Sequence, residues 1–482
     1  MVRPSPRSTL QRLALSFVVT FAGLELLLRL LGNDGLFSTP HVMLGPKMAD
    51  LVLLRVALAF VGIDLALGVV LIHAVWRRLK SERALPLPER VPPVSVLLPV
   101  WNEGAGVRAT LEAWVAQRGL DFEVLVGDDG STDGSVAALA SQLGFEARGA
   151  HEWAGLINGI AVRLFQLPHA GKGATLNALA RHARHDVLVT IDADTVPTEG
   201  SLARLAAAFV DDEVDLATGV VTISNGRRNY LTGNQSAEYL KNAFSRIAWS
   251  QLDALEQVPG AFAAIRASTF RAAGGFPEDS LTEDYELTWR CVQAGLDRQR
   301  PPKVVTVLRA QVFTEGPTTV KGFIAQRTRW FAGFLSTLWR FKHLVGRGAG
   351  GSYGLVRFPL KVIDAILPAL AFASLIILVR GGVETALGVS RLSIALFLVR
   401  WVWDLVVFGL ALRMARELGE PARTDVASPS RPMAWALTTI EALTYVWFKH
   451  AAALRGFVFA FARVRRWEAS RVPESSAAAD AR

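Results

Sequence analysis

The sequence contains very little cysteine, since Cys291 is the only one among 482 residues. An intrachain disulfide and a cysteine-rich metal site are therefore excluded. A Walker A loop is also missing, because Gly171-Lys-Gly lacks both the upstream glycine spacing and a Ser or Thr after the lysine. No small-residue cleavage site clearly follows the first apolar segment, so we do not expect a cleaved signal peptide.

Apolar residues, by contrast, are plentiful: 51% of the chain is hydrophobic, and the excess lies near the two ends. Segments of this length and composition predict membrane spans. The segment 432–462 is too short for two full crossings and long for one, so it is either one long helix or two short ones. The predicted spans are residues 13–31, 51–75, 363–379 and 392–412.

The net charge of +9 would suit a nucleic-acid partner, but much of the basic excess lies beside the apolar segments. In that position the basic residues orient the chain in the membrane and bind anionic lipid. We therefore expect a lipid bilayer, and not nucleic acid, as the partner. By the positive-inside rule, the N-terminus and everything after Trp76 lie in the cytoplasm. We therefore expect an integral protein of the cell (inner) membrane with a cytoplasmic catalytic domain.

The centre of the chain alternates predicted strands with predicted helices, which is typical of a Rossmann-like, mostly parallel sheet with helices on both faces. The segment 144–170 interrupts this alternation. The predicted strands are 94–98, 123–127, 187–191 and 214–223, and the predicted helices are 111–117, 135–142, 174–182 and 201–210.

Five regions follow from these patterns. After Gly316, aromatic and basic residues alternate in a way that is typical of helices at a bilayer surface, and the end of the chain is rich in Ala, Ser and Asp. The regions are an N-terminal membrane region with two spans (1–85), the α/β domain (90–315), amphipathic interface helices (316–350), C-terminal membrane helices (351–466) and a disordered tail (467–482).

Two carboxylates, Asp192 and Asp194, directly follow the apolar strand 187–191. Ligands of open α/β sheets bind beyond the carboxyl ends of the strands. Carboxylates at this spacing suit a divalent cation that shares its coordination shell with substrate phosphates. The alternative is that an Asp only caps the next helix.

Polar groups follow two other strands and one loop. Asp128 and Asp129 end a strand, where a carboxylate can accept hydrogen bonds from a ribose hydroxyl or a uracil N–H; alternatively, these acids only line a helix N-terminus. Pro99-Val-Trp-Asn-Glu103 follows the first strand and is either a nucleoside contact or an ordinary turn. Lys172, between glycines at a helix start, can contact a diphosphate, unless it is a solvated surface lysine.

Two further segments carry reactive groups. Ser280 and Glu283 have the spacing of a capping box, which predicts a structural role for Glu283 and leaves Asp284 ionised and able to take a proton from a sugar hydroxyl. In Gln326-Arg-Thr-Arg-Trp330, Arg329 offers a fork for phosphate and Trp330 a flat face for a sugar ring. The alternative is an interface helix whose arginines reach for the membrane surface.

Taken in order, these motifs resemble the processive family 2 glycosyltransferases, the group of cellulose, hyaluronan, chitin and poly-N-acetylglucosamine synthases. The resemblance covers residues 94–340. Within the group, the chain is most similar to poly-β-1,6-N-acetylglucosamine synthases, because Val258-Pro-Gly-Ala-Phe resembles their acceptor-side segment. The motifs are Pro-x-Trp-Asn-Glu, Asp-Asp-Gly-Ser, Gly-Lys-Gly-Ala-x-Leu-Asn, Asp-Ala-Asp, Thr-Glu-Asp and Gln-x-x-Arg-Trp.

The resemblance implies a GT-A fold, a UDP-sugar donor and Mg²⁺ or Mn²⁺ as the cofactor. It makes Asp284 the catalytic base, with Glu283 beside it, and Asp194 the metal ligand. The remaining roles are contacts to donor or acceptor: UDP recognition by Asp128 and Asp129, diphosphate contact by Lys172, the nucleotide-sugar beside Asp192, and closure over the pyrophosphate and acceptor by Gln326, Arg329 and Trp330.

The function expected from this resemblance is an inverting, processive polymerisation of a UDP-sugar, with UDP-N-acetylglucosamine as the expected donor, into a β-linked polysaccharide that passes through the spans. A small accessory membrane subunit is an additional expected partner. One alternative is a non-processive enzyme that makes a glycolipid. Another is a transporter with a nucleotide-sensing domain, because Glu25, Asp64, Arg400 and Asp404 are ionisable residues within predicted spans.

Overall fold

The computed structural model describes residues 46–82, 88–104, 106–380, 382–417 and 430–462. The predicted span 13–31 and the predicted tail 467–482 lie outside these residues. The described part begins with helix α1 (Pro46–Glu82), and it continues into an α/β domain that is followed by more helices.

Ten strands of the described part form one sheet, in the order β3-β4-β5-β2-β1-β6-β9-β8-β10-β7. The strands are β1 (Val94–Val100), β2 (Phe122–Asp129), β3 (Glu146–Gly149), β4 (Glu152–Ile157), β5 (Ile160–Leu167), β6 (Val187–Ile191), β7 (Val196–Pro197), β8 (Val214–Ile223), β9 (Phe262–Arg266) and β10 (Lys303–Thr314).

Helices cover both faces of this sheet. In chain order they are α2 (Gly106–Val115), α3 (Ser135–Gln142), α4 (Lys172–His182), α5 (Ser201–Ala207), α6 (Tyr230–Gln251), α7 (Ala267–Ala272) and α8 (Glu283–Asp297). Neighbouring residues of one strand enter opposite cores: Leu97 packs on the α4, α6 and α8 side, while Val96 packs on the α2, α3 and α5 side. Burial on both faces explains the unbroken apolar runs in the sequence.

The prediction of a mostly parallel sheet is wrong for one half of the domain. Strands β5, β2, β1 and β6 are parallel neighbours, but β9 runs antiparallel to both β6 and β8. The sheet is therefore mixed. The sequence does not reveal this, because Phe262–Arg266 is as apolar as a parallel strand and the direction of a strand depends on its tertiary pairing.

The segment 144–170, which had no predicted element, contains three strands. Strands β4 and β5 form an antiparallel hairpin with Ile157 opposite Ile160, and β5 pairs in parallel with β2. The two turn residues, Asn158 and Gly159, both have positive φ angles of 52° and 80°. An Asn-Gly turn of this kind is the preferred two-residue hairpin connection, so the interruption is an extension of the sheet.

The C-terminal part is helical: α9 (Val320–Arg340), α10 (Phe358–Arg380), α11 (Gly382–Glu417), α12 (Arg431–Glu441) and α13 (Tyr445–Phe461). The segment 432–462 thus contains two short helices rather than a long one. Arg400 of α11 forms ion pairs with Asp404 and with Asp64 of α1, so these charges pair with one another.

Across the described ranges, no helix contains an 18-residue stretch with the low polarity that a bilayer crossing requires. The spans predicted at 51–75, 363–379 and 392–412 coincide with helices α1, α10 and α11, but as membrane spans they are not confirmed.

Candidate active site

The predicted site residues gather at one edge of the sheet. Strands β1, β2 and β6 are parallel, so their carboxyl ends point the same way. Asp128 and Asp129 form the end of β2, and Asp192 and Asp194 directly follow β6. This edge is where ligands bind in open α/β sheets.

Asp129 organises the loop that leads into α4. Its carboxylate accepts hydrogen bonds from the backbone N–H groups of Ala170 and Gly171 at 2.8–3.1 Å, and His169 Nδ1 lies 3.0 Å from Oδ2. The His169 ring also stacks on Trp101, with the centroids 4.9 Å apart. His169 was not among the predicted site residues. His169 lies three residues before Lys172 and just after strand β5, and the sequence pattern does not predict that strand.

Asp128 does not cap a helix. Its Oδ1 accepts a hydrogen bond from the N–H of Ser131 at 3.0 Å, and the residue that precedes α3, Gly134, makes no side-chain cap. Asp133 instead accepts a hydrogen bond from the N–H of Gly104 at 3.0 Å. The acids after β2 therefore join two loops of the sheet edge, which argues against the alternative of a decorated helix N-terminus.

Lys172 lies at the centre of the acidic residues. Its Nζ is 2.6 Å from Oδ1 of Asp192 and 3.0 Å from Oε1 of Glu283. Burial lowers the pKa of Lys172, but the Asp192, Glu283 and Asp284 carboxylates more than offset this and raise it overall. The side chain is thus an ammonium held by carboxylates, with 34% of it exposed, which argues against the alternative of a lysine that is simply solvated at the surface.

Asp284 is oriented by backbone N–H groups. Its Oδ2 accepts a hydrogen bond from Gly260 at 2.8 Å, and its Oδ1 accepts one from its neighbour Tyr285 at 2.8 Å. Burial, and then the charge of Glu283, raises the pKa of Asp284, which Lys172 and these N–H donors partly oppose. A carboxylate of raised pKa binds a proton more strongly than an ordinary aspartate does.

Gly260 is a site residue that the sequence did not single out, although it lies within the Val258-Pro-Gly-Ala-Phe segment. A Cβ at this position would lie 3.2 Å from the Cβ of Asp284 and 3.3 Å from the Nζ of Lys172. Both contacts are tighter than normal packing. A larger residue here would therefore require Asp284 or Lys172 to shift by a few tenths of an ångström.

The predicted capping box between Ser280 and Glu283 is not formed. Helix α8 begins at Glu283, its N-cap is Thr282, and that residue makes no side-chain cap. Ser280 Oγ accepts a hydrogen bond from the N–H of Thr282 instead, at 3.3 Å. Because Lys172 offers a charge-assisted contact, Glu283 turns toward the lysine rather than back to the helix end.

Asp194 is partly exposed, and its Oδ1 accepts a hydrogen bond from Thr314 Oγ1 at 3.2 Å. Among the residues that the structure describes, no three His, Cys, Asp or Glu side chains come together as a complete metal site. A Mg²⁺ or Mn²⁺ ion would therefore need oxygens from the substrate. The residues fit such an ion, because Mg²⁺ is commonly held by one or two carboxylates plus phosphates and water.

The Gln326-Arg-Thr-Arg-Trp330 motif reaches the acidic residues through Arg329, whose Nη1 donates to the carbonyl oxygen of Leu281 at 2.9 Å. Helix α9 approaches the same loop at Gly333, where a Cβ would overlap Thr282. The buried Oε1 of Gln326 accepts no hydrogen bond from the described residues. Arg327 is buried between Trp330 and Glu238, so it does not reach toward a membrane surface.

Sequence profiles of known families match this chain over the same elements. The profile of glycosyl transferase family 2 matches residues 95–272, which include β1 to β9. The profile of glycosyl transferase family group 2 matches residues 187–449, more than half of the chain. The chain belongs to glycosyl transferase family group 2. It is a glycosyltransferase with an α/β domain built on a mixed sheet.

Curated relatives of this family member include synthases named for different products. The chain is 28% identical over 257 residues to the probable glycosyltransferase YdaM of Bacillus subtilis. It is 24% identical over 348 residues to the beta-monoglucosyldiacylglycerol synthase of Nostoc, and 24% identical over 249 residues to the poly-beta-1,6-N-acetyl-D-glucosamine synthase of Staphylococcus epidermidis. These alignments cover 51%, 70% and 51% of the chain.

The same alignments cover 56%, 69% and 55% of the relatives, so the chain spans little more than half the length of two of them. Among solved structures, the mannosyltransferase PcManGT from Pyrobaculum calidifontis, in complex with GDP-Man and Mn²⁺, aligns with a TM-score of 0.48 and 20% identity. That alignment covers 85% of this chain and 99% of the other.

Proposed function

We propose that this glycosyltransferase moves a sugar from a UDP-sugar donor onto an acceptor hydroxyl with inversion at the anomeric carbon. The observation that carries the proposal is the Lys172 cluster, in which an ammonium from one loop is paired with Asp192 and Glu283 from two others. A cation held by carboxylates at a sheet edge is suited to exchange them for a diphosphate.

The residues take the following roles in this proposal. Asp128, Asp129 and the loops they join hold the nucleoside, and Lys172 contacts the diphosphate. The acceptor oxygen forms a bond to the anomeric carbon while the bond from that carbon to the UDP oxygen breaks. The proton of the acceptor hydroxyl passes to Asp284, whose orientation by Gly260 and raised pKa suit a general base.

We assign a divalent cation, Mg²⁺ or Mn²⁺, to Asp194, with Asp192 close to the nucleotide-sugar. When bound, the ion would neutralise charge on the leaving diphosphate. Thr314 holds the Asp194 carboxylate in place through its hydroxyl group.

For the acceptor, we propose a growing β-linked polysaccharide, with UDP-N-acetylglucosamine as the donor. The motif order and the similarity to poly-beta-1,6-N-acetyl-D-glucosamine synthases support this choice. We further propose the region boundaries given above, a cell (inner) membrane location with the α/β domain in the cytoplasm, passage of the polymer through the membrane helices, and an accessory membrane subunit. Gln326, Arg329 and Trp330 would close over the pyrophosphate and the acceptor.

A second candidate is transfer of one sugar to a lipid. The alignment with beta-monoglucosyldiacylglycerol synthase supports it, because that match extends over 70% of the chain and includes more than the α/β domain. The two candidates share the donor site and differ in the acceptor. We keep the polymer as the main proposal because of the order of the six motifs together and the similarity to several poly-beta-1,6-N-acetyl-D-glucosamine synthases.

Purified full-length protein incubated with each UDP-sugar in turn, with Mg²⁺ or Mn²⁺, tests the proposal. We expect UDP release to be greatest with UDP-N-acetylglucosamine and the product to be a polymer of many sugars. A product consisting only of single-sugar lipid would replace the polymer by the second candidate. No UDP release from any UDP-sugar, by protein that remains folded, would overturn the donor assignment.

A further inference from the structure

Arg327 occupies a variable position of the Gln-x-x-Arg-Trp motif, yet it is one of its most buried residues, with 8% of its surface exposed. Its guanidinium lies over the face of Trp330, 4.2 Å from the ring centroid, and 5.0 Å from the ring of Phe323. These three residues share one face of α9. The Arg327 guanidinium therefore stacks on the Trp330 ring and supports it from one side.

Glu238 of α6 fixes this arginine from the other side. Its Oε2 lies 2.9 Å from Nη2 of Arg327 and accepts a hydrogen bond from the Tyr445 hydroxyl at 2.5 Å, while Lys449 lies 3.8 Å from Oε1. Burial raises the pKa of Glu238, but the charges of Arg327 and Lys449 more than offset this and hold it at about 2. The carboxylate is thus anchored to both α9 and α13.

We infer that Glu238 is a positioning residue for glycosyl transfer: through Arg327 it sets the orientation of Trp330 and so the binding of the acceptor. This inference rests on the proposed function, in which Trp330 holds the acceptor. In this inference Glu238 acts through Arg327 and not by contact with a substrate. Its influence should therefore appear in the KM of the acceptor and leave the donor site unchanged.

A conservative variant separates positioning from folding. Glu238→Gln keeps the shape of the side chain but removes the charge that compensates a buried guanidinium, so Arg327 is expected to shift away from its place under Trp330. We expect the acceptor KM to rise about tenfold, because small misplacements of substrate-holding groups are costly. Acceptor-independent UDP release and the donor KM should stay close to their original values.

The chain offers a matched control in Glu441, which is also buried and pairs with Lys241 and Lys449 rather than with Arg327. Glu441→Gln should leave the acceptor KM unchanged. A second variant, Arg327→Lys, retains the positive charge but loses the flat guanidinium beneath Trp330. Arg327→Lys should raise the acceptor KM as Glu238→Gln does. It can replace Glu238→Gln in the test if that variant does not fold.

The decisive measurement is a double-mutant cycle with Trp330→Leu, using short β-linked N-acetylglucosamine oligomers and, in parallel, diacylglycerol in detergent micelles. We expect Glu238→Gln to raise the acceptor KM in the original background and to have no further effect in Trp330→Leu. The inference would be overturned, with the proposed function left standing, if the acceptor KM were unchanged in Glu238→Gln. The same follows if Glu238→Gln raised it equally in both backgrounds, or if Glu441→Gln raised it as much as Glu238→Gln does. An unchanged acceptor KM in Trp330→Leu would remove the acceptor role of Trp330, on which the inference rests.

Discussion

The ammonium of Lys172 and the carboxylate of Glu283 lie 3.0 Å apart, although the two residues are 111 positions apart in the sequence. One residue begins α4 and the other begins α8, so this pair joins the donor-side loop to the segment that carries Asp284. A diphosphate that attracts Lys172 would compete with Glu283 for it. In the proposed function, donor binding would therefore change the charge beside Asp284, the proposed base.

Replacing Lys172 tests its proposed contact with the diphosphate. Lys172→Met is expected to lower kcat/KM for the UDP-sugar by about 100-fold or more, because one preorganised contact to developing charge is lost. Lys172→Arg should retain more activity, since it keeps the charge. UDP release under steady-state conditions gives both values.

Lys303 provides the control, because it pairs with Asp211 and Glu213 at the start of β10, outside the Lys172 cluster. Lys303→Met should leave kcat/KM near the original value. If Lys172→Met retained full activity, the lysine would have only a structural role.

Replacing Asp194 tests the proposed metal site. Asp194→Asn should raise the metal concentration needed for half-maximal UDP release by about 100-fold, because it removes a charged oxygen ligand. Thr314→Val should have a smaller effect in the same direction, since it removes only the hydroxyl that donates to Asp194. A titration of each variant with Mg²⁺ and Mn²⁺ measures this. An unchanged metal requirement in Asp194→Asn would contradict the assignment.

The pH dependence of the reaction should show the raised pKa of Asp284. A base must be ionised to accept a proton, so activity falls as the pH drops through its pKa. We expect the acidic limb of kcat/KM to lie above 3.8, the ordinary value for an aspartate.

Glu283→Gln should move this acidic limb to lower pH, because the Glu283 charge is one cause of the raised pKa. The measurement is the pH profile of UDP release for both proteins. A limb at the same pH in the variant would mean that Glu283 does not influence the proposed base.

Glu256 is expected to stabilise the junction between the α/β domain and α10. It is 1% exposed, and its carboxylate oxygens lie 2.5 Å and 2.7 Å from Arg357 and 3.2 Å from Lys361. Glu256→Gln should lower the free energy of unfolding by about 3–5 kcal/mol at neutral pH, because it leaves buried cations without their partner. Denaturant unfolding of the full chain measures the difference.

The same carboxylate predicts a pH dependence of stability. Burial raises the pKa of Glu256, but the charges of Arg357 and Lys361 more than offset this and hold it at about 2, below the ordinary value of 4.5. Its contribution is therefore fully present above pH 4.5 and is lost as the pH falls toward 2. Glu256→Gln should lack this loss, whereas Asp364→Asn, which removes a partly exposed partner of Lys361, should keep it.

The sequence predicted the central buried strand well, because residues 187–191 form the short apolar run that a strand covered on both faces requires. It failed at residues 144–170 for a different reason. Strand β5 is only partly buried, so its apolar pattern is weak, and the Asn158-Gly159 turn is the one strong local signal of the hairpin. The antiparallel direction of β9 depends on tertiary pairing, which no local pattern records.

Within the site, the sequence predicted the acids and Lys172 from their places after strands and glycines. It could not predict that Glu283 faces Lys172, because a capping box and an ion pair need the same residue type at the same position. Gly260 was missed for a related reason. Its role comes from a backbone N–H and from close approach, which leave no side-chain signal in the sequence.

The most direct test compares donor binding and sugar transfer in Asp284→Asn, with Asp279→Asn as the control on the preceding loop, where Asp279 pairs with Arg340. We predict that Asp284→Asn binds UDP with nearly the original affinity but loses transfer by about 100-fold or more, since only the proton acceptor is removed. The control should retain transfer. Full transfer by Asp284→Asn would contradict the account, because its central claim is that this carboxylate takes the acceptor proton.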